Sequence, residues 1–114
     1  MKLWVLHGTY EAEMFTSIHL TEKGCALAAI ADVMDFFHID SDEEAVRVIS
    51  ESYEYRRADG RIDDIEPIHW NHEILKDMNS KQLWKVFADW TETCWEQMSD
   101  RSYYIDATPQ MVQA

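Results

Sequence analysis

Hydrophobic and polar positions alternate at the start of the chain and then change period. Over residues 2–10, Leu3, Val5 and His7 fall on one side and Trp4 and Leu6 on the other, which is the period of a strand. A second strand is expected over about Met14 to Leu20, with Glu11-Ala12-Glu13 as the hairpin connection. The spacing then becomes helical. Thr21 is placed to cap a helix reaching about Phe37, with Leu27, Ile30, Ala31, Met34 and Phe37 as its expected apolar stripe.

Ser41-Asp42-Glu43-Glu44 has the form of a capping box, in which the Ser hydroxyl accepts the third helical N–H and Glu44 reaches back. Carboxylates there also suit the positive end of a helix. A second helix is therefore expected from Asp42 to about Tyr55, with Val46, Ile49 and Tyr53 as its stripe. Asp59-Gly60 signals a turn, Arg61 to Ile68 fits either a loop or a short helix, and Asn71 suits the cap of a brief helix through Met78. The last helix starts at Asn79 or Ser80 and ends near Asp100, with Leu83, Phe87, Trp90, Cys94 and Met98 in line. Trp84, Ala88, Thr91 and Trp95 form a second line. Two apolar faces exceed what one helix needs to sit on a small sheet, so Trp84 and Trp95 are candidates for a hydrophobic interface. Ser102 to Thr108 reads as a final strand. The expected fold is α+β: an N-terminal β-hairpin plus a C-terminal strand in a small antiparallel sheet, packed by three to four helices. A chain of 114 residues supports one core, and residues 1–114 are expected to form a single domain.

Charge changes this picture more than any motif does. The chain carries 22 Asp and Glu against 10 Lys and Arg, a formal net charge of −12. The acids run from Glu11 to Asp106, interleaved with core-type residues, so they do not form a tail. Disorder predicts few aromatics and low hydrophobicity, whereas 46% of these residues are hydrophobic and five Trp, five Tyr and four Phe are present. The carboxylates are thus expected on the surface of an ordered fold. Direct binding of DNA or RNA is disfavoured, because a basic face supplies most of such affinity.

The remaining chemistry is sparse. Only three Gly and two Pro are present, too few for closely spaced glycine phosphate cradles. Cys25 and Cys94 lie far apart in helical stretches and do not read as a disulfide framework, which points to a reducing compartment. Lys2 precedes only a brief apolar run, Leu3 to Leu6, so neither a signal peptide nor a membrane span is expected and the assigned location is the cytoplasm. His69 and His72 stand three apart and are the best metal candidates, with a third ligand to come from His7, His19, His38 or a carboxylate. Ordinary cap and surface contacts are the plainer account of them, and no metal or other cofactor is expected. Cys25, following Gly24 in the first turns of a helix, sits where the dipole lowers a thiol pKa, although a small buried residue on an Ala-rich face is the plainer reading. Arg56-Arg57 reads as a local ion-pair arrangement before a nucleic-acid footprint.

A rigid acidic surface can occupy the basic groove in which another protein holds nucleic acid. Helical carboxylates at i and i+4 lie about 5–6 Å apart, of the order of successive phosphates along a strand. Asp42, Glu43, Glu44, Glu51 and Glu54 are expected to line the outer side of one helix, with Asp63, Asp64 and Glu66 continuing the field. A merely solvated helix face is the plain alternative.

In size and acid-rich, ordered composition the chain resembles the small phage-encoded inhibitors of bacterial defence, which include anti-restriction and anti-CRISPR proteins and inhibitors of DNA-repair glycosylases. Trp4-Val5-Leu6-His7 with Tyr10-Glu11, followed by a second strand and the helix from Thr21, also looks like the opening of small phage and bacterial proteins of unknown function. The resemblance implies a class of partner and assigns no functional residue. The expected function is a non-enzymatic inhibitor that binds a host nucleic-acid-handling complex through an acidic, nucleic-acid-mimicking face. The alternative is a small homo-oligomerising or protein-interaction module using the Trp84 and Trp95 face, and a homodimer is compatible with both. A metal- or Cys-dependent enzyme is the third reading.

Overall fold

A computed structural model describes residues 2–11, 13–58, 72–94, 98 and 103–113. Strand β1 (Lys2–Tyr10) runs into β2 (Glu13–His19), and helices α1 (Glu22–Phe36) and α2 (Asp42–Ala58) follow. A short 3-10 helix (His72–Asp77), helix α3 (Ser80–Thr93) and strand β3 (Tyr103–Gln113) complete the order. The class is α+β. The antiparallel sheet has the order β2-β1-β3, with β1 in the middle and a register irregularity against β3 between Val5 and His7. Among the described residues no helix is long and apolar enough to cross a membrane.

The hairpin turns in less chain than Glu11-Ala12-Glu13. Tyr10 pairs with Glu13, so Glu13 belongs to β2, and Glu11 takes the positive φ of 47° that a two-residue connection asks of its first residue. Registered pairs fix the two faces. Trp4, Leu6, Gly8 and Tyr10 share one face with His19, Ser17, Phe15 and Glu13, and Val5, His7 and Thr9 share the other with Ile18, Thr16 and Met14. Leu6 on the first face is buried in the core with residues of all three α-helices, so the first face is the one the helices cover.

Helix α1 is capped as its sequence predicts, the Thr21 hydroxyl accepting the Gly24 N–H at 3.0 Å. Its buried stripe differs from the expected one. Cys25, Ala26, Ala29, Ile30 and Val33 point inward, Ala31 is exposed, and Leu27, Met34 and Phe37 sit half-buried at the flanks. Small residues fill much of this buried side, and α1 packs on α3, where small side chains let two helices come close. The same shift occurs in α2. Ala45, Val48, Ile49 and Ser52 are buried, whereas Val46 is 49% exposed, and Tyr53 lies outside the described side chains. Ser52 is tolerated there because its hydroxyl donates to the Val48 carbonyl at 2.8 Å and lies 3.4 Å from Cys94 Sγ.

The expected stripe of Leu83, Phe87, Trp90, Cys94 and Met98 is buried throughout, the first three within α3 and the last two at and beyond its end. Asn79 and Gln82 form a reciprocal capping box, each backbone N–H donating to the other side chain at 2.9 Å. The helix spans Ser80–Thr93 with Cys94 as its cap; Met98, whose N–H donates to the Cys94 carbonyl at 3.2 Å, is again helical, and the expected end near Asp100 lies outside the described residues.

Candidate functional site

The acid-bearing helix is organised by its buried side. With Ala45, Val48, Ile49 and Ser52 inward, steps of three and four residues put Glu43, Arg47, Glu51 and Glu54 on the opposite side. Glu43 and Glu51 are exposed there, while Glu54 shares this side by helical position alone. Asp42 and Glu44 are half-buried and fall toward the two borders of the face, so the five carboxylates do not form the single outer line expected of them. A base also interrupts the row. Arg47 Nη1 meets Glu51 Oε1 at 3.1 Å, both groups in solvent, and so offsets part of the charge of Glu51. The Ser41 hydroxyl accepts the Glu44 N–H at 3.2 Å, which supplies the forward half of the expected capping box. Asp63, Asp64 and Glu66, the Arg61 to Ile68 segment and His69 lie outside the described residues, as do the side chains of His72 and Arg56-Arg57.

A second acidic feature was not apparent in the sequence. A cleft of about 320 Å³ opens where the hairpin tip faces the end of α1. Tyr10, Phe15 and Phe36 give it aromatic walls, and Glu13, Asp32 and Asp35 give it carboxylates. Tyr10 and Phe36 meet edge-to-face with centroids 5.7 Å apart. Asp32 and Asp35 stand near the negative end of the α1 dipole, whose last turn holds no base, so the local field favours a cation. His38 closes the rim. Its N–H donates to the Asp35 carbonyl and that of Ile39 to the Met34 carbonyl, a Schellman ending that places His38 at φ 56°, where glycine is usual.

The other candidates are placed plainly. Trp84 is half-buried against the core, its indole N–H donating to Glu22 Oε1 at 3.2 Å and its ring meeting Phe87 edge-on. It therefore ties α3 to α1, which draws it away from the free seam expected of it, and Trp95 lies outside the described residues. Cys25 is fully buried, and burial together with the Glu22 carboxylate pushes its thiol pKa above the ordinary value, opposite to the lowering expected at a helix start. His7 Nδ1 lies 3.1 Å from Thr16 Oγ1, and His19 Nε2 lies 2.8 Å from Ser17 Oγ. Among the described residues no three His, Cys, Asp or Glu side chains gather as a metal site.

No family model, no curated protein and no solved structure matches the chain. Function must therefore be argued from these surfaces. Two of them are acidic, and one adds aromatic side chains to its carboxylates.

Proposed function

We propose that the protein is a non-enzymatic inhibitor that binds a nucleic-acid-handling host complex through its acidic surfaces and blocks the substrate. It would act in the cytoplasm as a single domain, with the C-terminal strand completing the sheet and three to four helices packed on it. The observation that carries this reading is the carboxylate side of α2, with Glu43 and Glu51 exposed on a helix whose opposite side is anchored in the core. A face anchored in this way presents charge at fixed spacing, as a nucleic-acid backbone does. The cleft supports the same class of partner, since a lysine or arginine side chain projecting from a basic groove suits its carboxylates and rings.

The test is affinity capture from a bacterial lysate at low and at moderate salt, comparing the wild-type chain with Glu43→Lys, Glu44→Lys and Glu51→Lys combined. The reading expects a nucleic-acid enzyme that salt releases and that the triple variant does not recover. Equal recovery by the variant would sink the acidic-face reading. Loss of a salt-resistant partner on Trp84→Ala would favour the interaction module instead.

A further inference from the structure

We propose that β2 pairs edge to edge with the β2 strand of a second copy of this chain, antiparallel about Thr16, joining two sheets into one. Among the described residues β2 is bonded on one side only, by β1, which leaves a row of backbone N–H and C=O groups along its other edge. Natural edge strands are commonly blunted by lysine, proline, a bulge or shortness. Glu13–His19 has seven residues, no lysine and no proline, and its register with β1 is unbroken.

The side chains on the uncovered face point the same way. Met14 is 81% exposed and Ile18 63%, with exposed Thr16 between them, and Leu20 beyond the strand is 72% exposed. Apolar groups in solvent on a strand with open backbone groups mark a pairing surface.

What selects a second copy is the self-complementary order of side chains in β2, which reads acid, apolar, Phe, Thr, Ser, apolar, His about Thr16. A two-fold axis at Thr16 is the one arrangement that pairs all seven residues of β2 with their copies. It sets Met14 against the partner's Ile18, Phe15 against the partner's Ser17 and Thr16 against the partner's Thr16. It also sets Glu13 against the partner's His19, a carboxylate opposite an imidazole at each end. β2 holds only one of the chain's 22 carboxylates, so the strand itself adds little repulsion between two acidic molecules. The repulsion of the remaining charge is screened by salt, and the assembly therefore tightens as salt is added, the reverse of binding to a basic partner. This inference stands independently of the acidic-face reading.

The two-fold axis makes a direct test possible, because residue 16 faces itself. Thr16→Lys and Thr16→Glu each set like charges against one another, and mixing them sets Lys against Glu. In analytical ultracentrifugation the wild-type chain is expected at twice the 13.5 kDa of one chain, more completely at high salt. Each variant alone is expected at the mass of one chain, with unchanged circular dichroism, and an equimolar mixture at the mass of two. A wild-type chain that stays at one-chain mass at every salt concentration overturns the proposal. So does a wild-type assembly that Thr16→Lys leaves intact, or a mixture that fails to pair.

Discussion

The phenyl ring of Phe15 occupies the space that a side chain at residue 8 would need. Gly8 and Phe15 are registered partners on the helix-facing side of the hairpin, and a Cβ built at Gly8 would fall within the ring. Phe15 also walls the acidic cleft, so the absence of a side chain at Gly8 fixes where that wall stands. Gly8→Ala should destabilise the fold by roughly 1–3 kcal/mol, the usual range for overpacking. In a Phe15→Ala background the same change should cost less than about 0.5 kcal/mol, since the obstructing ring is gone. Urea denaturation of the four proteins in this cycle measures the coupling, and additive losses would contradict the close approach.

Among the described residues, two other than glycine adopt left-handed backbone, Glu11 in the hairpin connection and His38 after α1. Such a conformation costs an L-residue about 1 kcal/mol or more, and glycine removes that cost. Glu11→Gly and His38→Gly should each stabilise the fold by about 1 kcal/mol in thermal melting. His38→Gly should in addition weaken capture of a basic partner, because it strips the imidazole from the cleft rim. A His38→Gly protein no more stable than wild type would show that the imidazole contributes to the fold itself.

Cys25 gives a pH dependence of defined sign. Burial and then the neighbouring Glu22 raise its folded-state pKa above the ordinary 9.0 that the unfolded chain would show. The folded state keeps this proton to higher pH, so the contribution to stability is complete below about pH 9 and is lost as pH rises through the raised value. Denaturation midpoints measured from pH 8 to 10 should fall at the alkaline end. Cys25→Ala should flatten that fall while costing roughly 1 kcal/mol at neutral pH for the lost packing. A thiol at Cys25 that reacts with a disulfide reagent as fast as a free cysteine would refute its burial.

Among the described side chains Arg47 is a counter-charge within the acidic side of α2. Its pair with Glu51 is solvent-exposed, so Arg47→Gln should change stability by less than about 0.5 kcal/mol. It should nevertheless strengthen binding to poly-arginine at low salt, with a steeper loss as salt rises, because the face gains one net negative charge. Binding unchanged by Arg47→Gln would remove this side of α2 from the contact.

The sequence revealed the elements whose signals are local. The Thr21 cap, the Asn79 start of α3 and the Leu83 to Met98 stripe all rest on spacing and capping chemistry, which neighbours in sequence supply. The buried faces of α1 and α2 are offset from the stripes that their larger apolar residues mark. The buried positions instead include small residues, Ala26, Ala29, Ala45 and Ser52, while Leu27 stands half-buried and Val46 in solvent. The cleft has no local signature in the sequence. It joins Glu13 and Phe15 to Asp32, Asp35 and His38, and only the docking of α1 against the hairpin brings those together. The paired acids of α2 were legible, but the position of Arg47 among them needed the helix to be oriented first.

Met14 belongs to both surfaces, lining the cleft and standing on the open edge of β2. Two copies joined at that edge would hold two clefts at one fixed separation. A target with repeated basic groups at a matching interval would then be gripped twice, and the second contact would form at an effective concentration set by the sheet and not by diffusion. Avidity of that kind lets two weak sites hold a multivalent partner while leaving single basic side chains elsewhere in the cell unengaged.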